Sequence, residues 1–230
     1  IGLCAVEPKY DGFRLQIHYS RQKGEVRIYS RNLEEVSYMF PDLIAGVEKE
    51  VRAKEIIFEG EAIGFDATSG SFLPFQETVQ RKRKYEISEK SKAIPLKLFA
   101  FELLYKDGKN FINQHFSLRR KELEASFHLT HNLFKDIVAL APEKTLNAAD
   151  KIEAYFEEAI SQGLEGIIAK KLVGIYQPGA RGWNWIKFKR SYSSKINDTL
   201  DCLVMGYDYG KGKRVGFGIG AFLVGVYDAK

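Results

Sequence analysis

Lys9, in the segment KYDGFR near the start of the chain, is the residue best suited to covalent chemistry. Asp11 and Gly12 have the composition of a tight turn, and apolar and polar side chains alternate after them. The sequence therefore predicts a β-hairpin with Lys9 close to its turn and facing a pocket. A lysine attacks phosphorus only as the free amine, so its pKa must fall from about 10.4 through burial, nearby cations or a metal ion. Taken alone, the short pattern is more typical of a surface hairpin with solvated charges.

Carboxylates stand at the start or in the middle of two apolar segments. Glu59 and Glu61 alternate in IIFEGEAIGF, so a strand points both side chains to one face. Two close carboxylates suit a divalent metal ion, and a solvated strand face is the alternative. Glu165 opens the apolar part of GLEGIIAKK, where Gly166 permits close approach of a ligand or of backbone. Without a partner, Glu165 is an ordinary acid at the end of a strand.

Cations cluster in two further segments. Lys187 and Lys189 alternate in WNWIKFKR, which places both on one strand face while Ile186 and Phe188 face the core. The pair suits a phosphate clamp, and an ordinary amphipathic edge strand has the same pattern. The run RKRK, residues 81–84, is expected on a solvent-facing helix or loop, where it either contacts the phosphates of a polyanionic partner or is simply solvated.

The elements that must position these residues follow the hydrophobic periodicity. Beyond the first hairpin, strands are predicted at Glu25 to Ser30, Ile56 to Phe65, Leu96 to Tyr105, Gly166 to Lys171 and Trp185 to Lys189. Helices are predicted after Pro41, at Ser117 to Ser126 and at Asn147 to Gln162, with Gly163 as the last helix's stop. Ser191 to Asp198 is polar enough to connect two domains, and Leu200 to Lys230 is rich in glycine and strand-like.

The composition sets limits on the class of protein. The 230 residues, 45% of them hydrophobic, are enough for one large domain or for one domain and part of another. No apolar stretch approaches the roughly 20 residues that span a bilayer, and no signal peptide opens the chain, so we expect an intracellular protein without membrane contact. The two cysteines are expected to be reduced, and no histidine has metal-ligand spacing. The net charge of +5 fits a polyanionic partner.

Six segments, taken in order, resemble a known set of motifs. KYDGFR, IYSRN, FEGEAIGF, LFAFELLY, LEGIIAKK and WIKFKR resemble motifs I, Ia, III, IIIa, IV and V of the covalent nucleotidyltransferase superfamily, and more closely of its ATP-dependent DNA ligases. The resemblance covers most of the chain. It implies an α+β nucleotidyltransferase (ATP-grasp-like) fold over residues 1–192, with mostly antiparallel twisted sheets flanked by helices. A linker and the first strands of an incomplete OB-fold β-barrel are implied over residues 193–230.

The resemblance also implies an activity and a set of roles. Lys9 would be adenylylated by ATP, AMP would pass to the 5′-phosphate of a nick in double-stranded DNA, and the 3′-hydroxyl would displace AMP in a monomeric enzyme. The implied nucleotide-binding residues are Glu7 at the adenine edge, Arg14 and Arg31 at ribose or phosphate, Phe101 stacked on adenine, Ile168 on its opposite face, Lys187 and Lys189 at the α-phosphate, and Arg181. Glu61 would contact ribose or metal and Glu165 would help bind Mg²⁺ (or Mn²⁺). From its sequence context alone, Phe101 is a core residue.

Two observations keep other functions open. The chain begins with Ile1 and stops at Lys230 after a strand-like run, so we expect a portion of a longer protein with an unfinished OB-fold. The family's last basic motif, which orients pyrophosphate, is not in the sequence, and a nucleotide- or DNA-binding portion with little sealing activity is therefore one alternative. An RNA ligase or capping-type nucleotidyltransferase is the other.

Overall fold

The computed structural model describes residues 2–66, 68–82, 87–130, 132, 134–179, 182–189, 202–210, 215–216 and 218–226. The chain divides into two compact units, Ile1–Arg190 and Ser191–Lys230. Among the described residues, no helix combines the length and apolar character needed to cross a membrane. The predicted connection at Ser191 to Asp198 lies outside the described residues.

The first unit alternates strands with short helices. Its strands are β1 (Cys4–Lys9), β2 (Phe13–Ser20), β3 (Glu25–Ser30), β4 (Glu55–Gly64), β5 (Leu96–Lys106), β6 (Lys109–Asn110), β7 (Val138–Leu140), β8 (Lys144–Leu146), β9 (Gly166–Lys171) and β10 (Trp185–Lys189). Its helices are α1 (Pro41–Glu50), α2 (Phe75–Thr78), α3 (Ile87–Ala93), α4 (Phe116–Glu124) and α5 (Ala149–Ser161). The predicted α+β class, with mostly antiparallel sheets, is confirmed.

The first sheet has the strand order β10-β9-β1-β8, and all of its pairs are antiparallel. One face is covered by α5, whose Tyr155 and Phe156 pack with Val6 and Ile167 of the sheet in one apolar cluster. The apolar residues of α5 follow the predicted helical spacing. Gly163, which follows α5, has a φ of +78°, as expected where a helix ends. The opposite face of this sheet is left for polar side chains.

The second sheet has the order β3-β2-β4-β5-β6, and β7 pairs in parallel with β5. Its apolar face packs against α1 through Leu43 and Val47, in a cluster with residues such as Ile17 and Phe58. The strand β5 is long because apolar residues continue from Leu96 almost to the tight turn at Asp107 and Gly108, both of which have positive φ. The face away from α1 carries Arg14 and Glu61 and turns toward the first sheet.

The predicted hairpin around Lys9 is wrong. β1 pairs with β8 and β9, whereas β2 pairs with β3 and β4, so the chain crosses from one sheet to the other between Lys9 and Phe13. A Cβ atom on Gly12 would overlap the carbonyl oxygen of Ala62, so only glycine lets the crossing chain lie this close to β4. Tyr10 is buried at the crossing and stacks on Phe99 at 4.3 Å between ring centroids. Lys9 thus lies where two sheets meet and not at a hairpin tip.

The basic run at residues 81–84 also needs a correction. The side chain of Arg81 is fully buried and forms an ion pair with Asp42 of α1 at 2.5 Å, so it is not on a solvent-facing surface. Lys82 is exposed, and Arg83 and Lys84 lie outside the described residues. The first residue of the run therefore contacts α1 and not solvent.

The second unit, within its described residues, pairs β11 (Cys202–Tyr209) with β12 (Ile219–Val226) in an antiparallel arrangement. The pairing register shifts between Val204 and Gly206 and between Asp208 and Tyr209, as in strands that bend. Several apolar side chains of the pair are exposed, among them Leu203 and Phe222.

A fully buried ion pair joins three parts of the first unit. Arg119 of α4 binds both carboxylate oxygens of Glu102 in β5, at 2.7 and 2.8 Å, and neither side chain is exposed. Arg119 also donates to the carbonyl oxygen of Gly174 at 2.9 Å. The guanidinium group therefore fixes the segment after β9 against α4 and the second sheet.

We expect Arg119→Leu to lower the free energy of unfolding by about 3–5 kcal/mol, because it leaves the buried charge of Glu102 without a partner. Urea unfolding followed by the fluorescence of Trp183 and Trp185 measures this loss. The double variant Arg119→Leu/Glu102→Leu should recover part of it. The exposed pair Arg27 and Glu25 supplies the control, since Arg27→Leu should change the urea midpoint little; equal effects of the two single variants would contradict the assignment.

Candidate active site

The polar face of the first sheet carries its functional side chains in rows. The strand register aligns Lys9 with Gly166 and Lys189 across β1, β9 and β10. Two residues further along each strand, Glu7 aligns with Ile168 and Lys187. Because side chains alternate along a strand, both rows point to the same face. The alternation that the sequence predicted for Lys187 and Lys189 becomes part of a three-strand surface.

A cavity of about 440 Å³ lies between this face and the second sheet. Its lining includes every predicted site residue that the structure describes, namely Glu7, Lys9, Arg14, Arg31, Glu61, Phe101, Glu165, Ile168, Lys187 and Lys189. Arg181, the remaining predicted residue, lies outside the described residues. The folded chain thus brings together side chains that are up to 182 positions apart in sequence, from Glu7 to Lys189.

Two lysines share one carboxylate at one end of the cavity. The Nζ atom of Lys9 contacts Oε2 of Glu165, and the Nζ atom of Lys189 contacts Oε1. Burial, followed by the neighbouring ammonium group of Lys189, lowers the pKa of Lys9 to about 8, against an opposing effect of the Glu61 carboxylate. About one tenth of Lys9 is therefore the free amine at pH 7, far more than for an ordinary lysine. Burial and the nearby Arg31 likewise lower the pKa of Lys187.

Gly166 allows this convergence. Its φ is +150°, and a Cβ atom at this position would overlap the carbonyl oxygen of Phe188 on β10. A side chain would push β9 away from β10 and separate the row that holds Lys9 and Lys189. On the other face of β10, Phe188 contacts Phe156 of α5 with 4.4 Å between ring centroids, which holds the strand in place although Phe188 remains 38% exposed.

The second sheet supplies a guanidinium group and two carboxylates, and the two carboxylates differ in role. Glu59 is buried and binds Arg14 at 2.7 Å, and the hydroxyl of Tyr176 donates to its other oxygen at 3.1 Å. Glu61 accepts a hydrogen bond from the backbone N–H of Gly12 at 3.2 Å, and burial raises its pKa to about 7 against the effect of Lys9. Glu59 thus orients Arg14, whereas Glu61 faces the cavity.

The other end of the cavity is aromatic. Arg14 lies 5.8 Å from the ring centroid of Phe101 and 5.7 Å from that of Trp185. Phe101 is partly buried against the apolar cluster beneath α5 and lines the cavity, so it is a wall residue and not only a core residue. Trp185 lines the cavity as well.

Sequence reasoning missed the buried cation at this end. Lys170 is 1% exposed, and its Nζ atom contacts Glu7 Oε2 at 2.6 Å and donates to the carbonyl oxygen of Phe101 at 2.9 Å. The signal was present, because Lys170 follows Gly166 and Ile168 in the same alternation. A lysine at the end of an apolar strand is ordinarily exposed, and only the fold reveals its partner.

Two carboxylates of the cavity are candidate metal ligands. Within the part of the chain that is described, no three His, Cys, Asp or Glu side chains are grouped to hold a metal ion. Glu61 and Glu165 nevertheless line the same cavity, and Mg²⁺ is commonly held by one or two carboxylates together with water and substrate phosphates. The two carboxylates fit an ion that binds together with a polyphosphate, and they do not form a closed site by themselves.

Solved structures resemble this fold. A mycobacterial DNA ligase D complexed with ATP and MES aligns with a TM-score of 0.63 and 26% identity, over 97% of this chain and 62% of that one. A Chlorella virus DNA ligase-adenylate aligns with a TM-score of 0.54 at 16% identity, over 98% of this chain and 79% of that one, which supports the fold alone. The first unit therefore has the nucleotidyltransferase fold of DNA ligases.

Sequence comparison defines the family. The profile described as ATP dependent DNA ligase domain matches residues 2–189, and the chain belongs to this family. A probable DNA ligase of Dictyoglomus turgidum is 50% identical over 230 residues, 99% of this chain and 38% of the relative. A DNA ligase of Pyrobaculum islandicum is 42% identical over 227 residues, with the same two coverages of 99% and 38%. The chain thus spans a little over one third of the length of these relatives.

We expect Lys9 to react with an amine-selective acylating reagent with a midpoint near pH 8, because the free amine is the reactive form and is lost as pH falls through the pKa. Peptide mass spectrometry across a pH series measures the midpoint. Lys189→Met should raise it, since removing the neighbouring positive charge favours protonated Lys9. Lys106→Met, which removes a cation paired with Glu122 elsewhere, should leave it unchanged. A midpoint near 10 in the parent chain would show that Lys9 is an ordinary lysine.

We expect Gly166→Ala to destabilise the first unit by about 1–3 kcal/mol and to raise the Lys9 midpoint, because β10 must move away with Lys189. Thermal unfolding and the same acylation series measure the two effects. Gly216→Ala is the matched control, since an added Cβ atom there meets nothing within 4 Å. Unchanged behaviour of Gly166→Ala would mean that strand register does not govern the lysine pair.

Proposed function

We propose that this chain contains the catalytic core of an ATP-dependent DNA ligase in which Lys9 forms the covalent bond to AMP. The observation that carries the proposal is the position of Lys9, beside Lys189 and Glu165 in the cavity, with a pKa lowered to about 8. A lysine in this state is a nucleophile near neutral pH, and the surrounding cations suit a polyphosphate.

The first step is attack by the Lys9 amine on the α-phosphorus of ATP. A nitrogen–phosphorus bond forms, the bond from that phosphorus to the pyrophosphate oxygen breaks, and the nitrogen releases a proton to solvent. Lys187 and Lys189 stabilise the negative charge that develops on the phosphoryl oxygens. Glu61 and Glu165 would hold Mg²⁺ (or Mn²⁺), which supplies further positive charge to the phosphates when it is bound.

The remaining lining residues bind the nucleoside. Phe101 and Ile168 enclose the base from its two faces, and Glu7 accepts a hydrogen bond from its edge. Arg14 and Arg31 contact ribose or phosphate, and Arg181 acts with them. These roles suit an aromatic end of the cavity that contains Phe101 and Trp185 and a cationic end that contains Lys187 and Lys189.

The later steps reuse the same groups on nicked double-stranded DNA. A 5′-phosphate oxygen attacks the adenylyl phosphorus, the bond to Lys9 breaks, and the lysine nitrogen takes up a proton. The 3′-hydroxyl then attacks the phosphorus of the activated 5′ end, loses its proton, and AMP leaves. The activity belongs to an intracellular protein that acts as a monomer.

The second unit is proposed to begin another domain. Residues 193–230 supply a linker and the first strands of an OB-fold, with residues 1–192 as the adenylylation domain. The paired β11 and β12, with their register shifts and exposed apolar side chains, support this proposal, because a barrel needs bent strands with a face to bury.

We expect the chain to incorporate label from α-³²P-ATP with Mg²⁺ into an acid-labile, alkali-stable adduct on Lys9, and Lys9→Met to abolish it without loss of thermal stability. Denaturing gels and peptide mass spectrometry locate the adduct. Lys106→Met is the control and should label normally. Preferential labelling by GTP would favour a capping-type enzyme, and nucleotide binding with no adduct would favour a binding portion over a catalytic core.

The joining of DNA strands can be tested separately from the transfer of AMP to Lys9. A nick that already carries AMP on its 5′-phosphate requires only the last step. We therefore expect the chain to join it even where adenylylation of Lys9 by ATP is slow. Gel analysis of joined strands, with a nicked RNA duplex in parallel, distinguishes DNA from RNA as the acceptor. Joining of RNA alone would contradict the proposed substrate.

A further inference from the structure

Lys170 is an unusual buried charge. It is 1% exposed, and its ammonium group lies 4.7 Å from the ring centroids of Phe116 and Trp185 and 5.1 Å from that of Phe101. Burial of an ammonium group in an aromatic surrounding is costly unless it is paired and hydrogen-bonded. Lys170 has such partners, in Glu7 and the carbonyl oxygen of Phe101. The same cation therefore contacts two residues that line the base end of the cavity.

The contact with Glu7 is one-sided. Lys170 Nζ lies 2.6 Å from Oε2 of Glu7, whereas Oε1 is buried without a hydrogen-bond donor among the residues that the structure describes. Arg120 Nη1 is 3.5 Å from Oε1 and is likewise without a hydrogen bond there. A buried carboxylate oxygen without a donor is costly, and a ligand that donates a hydrogen bond removes that cost.

The ionisation of Glu7 depends on its cations. Burial raises the pKa of Glu7, and the nearby charge and hydrogen bond of Lys170 oppose that rise, followed by the charge of Arg120. Without Lys170, the buried carboxyl group would take up a proton more readily or rotate toward Arg120. In either case Glu7 would no longer present a fixed, charged carboxylate to the cavity that it lines.

We propose that Lys170 is a positioning residue that sets nucleobase selectivity, by holding Glu7 so that one oxygen accepts a hydrogen bond from an exocyclic amino group of the base. This inference rests on the proposed function. A base that carries a hydrogen atom at that position leaves the oxygen unpaired, and a base that carries a carbonyl oxygen faces it with a second acceptor. Lys170 acts through Glu7 and contacts no reacting atom.

The test measures binding without chemistry. Isothermal titration calorimetry compares ATP with purine riboside 5′-triphosphate, which has the same ring and lacks the amino group, on the chain carrying Lys9→Met so that no covalent adduct forms. We expect ATP to bind roughly 10- to 100-fold more tightly, the effect of one hydrogen bond to a charged acceptor. Equal affinities would overturn the inference.

Substitution of Lys170 gives the decisive comparison. Lys170→Met should reduce the preference for ATP to about threefold or less, mainly by weakening ATP, whereas Lys170→Arg should retain most of it because the charge remains. Lys106→Met is the matched control, a lysine-to-methionine change at a mostly buried ion pair outside the cavity, and should keep the full preference. If thermal unfolding shows that Lys170→Met does not fold, Lys170→Gln takes its place.

The outcomes distinguish the role of Lys170 from the proposed catalytic function. If Lys170→Met lowers the melting temperature and weakens both nucleotides equally, its role is purely structural and the inference is wrong. If the preference disappears as expected but the parent chain forms no adduct on Lys9, the base-selecting role stands and the proposed catalytic function fails. A preference that survives loss of the charge overturns the role of Lys170 even where the adduct forms.

Discussion

The register of the three strands β1, β9 and β10 is the constraint on which the rest of the site depends. It aligns Lys9 and Lys189 on either side of Gly166, a position where any side chain would overlap the backbone of β10. Two ammonium groups brought this close repel each other, and the single carboxylate of Glu165 between them compensates that repulsion. The cationic face of the cavity follows from this alignment, and the nearby charge of Lys189 adds to the effect of burial in lowering the pKa of Lys9.

The second sheet completes the site through a different kind of contact. Gly12 allows the chain to pass close to β4, which brings its N–H group to Glu61. Glu59 is withdrawn from the cavity because Arg14 and Tyr176 occupy both of its oxygens. The backbone around Tyr176 is in turn fixed by Arg119 through the neighbouring carbonyl of Gly174. The ion pair of Arg119 and Glu102, which do not line the cavity, therefore contributes to the orientation of Arg14.

The sequence predicted correctly those features that depend on residues close together in the chain. Alternation predicted β9 and β10 with their observed bounds and the shared face of Lys187 and Lys189, since side-chain direction within a strand is a local property. The ordered motifs identified ten of the residues that line the cavity. Alternation also predicted both strands around Lys9 but not that they enter different sheets, because pairing partners are set by residues distant in sequence.

The features that the sequence did not predict share a physical cause, because each depends on a partner from another element. Arg81 and Lys170 carry charges that sequence patterns assign to solvent, and each is buried because a partner from another element, Asp42 or Glu7, offsets its desolvation. β7 and β8, each three residues long, were not predicted because they carry too few residues to show a period and form only by pairing with β5 and β1.

The charged side chains at the two ends of the cavity differ in exposure and in pairing. At the Lys9 end, the cations remain partly exposed, with side-chain exposures of 14% for Lys9 and 30% for Lys189, and in the proposed function incoming phosphate groups would replace Glu165 as their partner. At the Lys170 end, the charges are almost completely buried and already paired, so they hold a fixed geometry instead of exchanging partners. Under the proposed function, exchangeable charge would suit a phosphate group that enters, reacts and leaves, and fixed charge would suit a base that must be oriented before the reaction. The strand β1 contributes a residue to each end of the cavity, because Glu7 and Lys9 are two residues apart on the same face of β1.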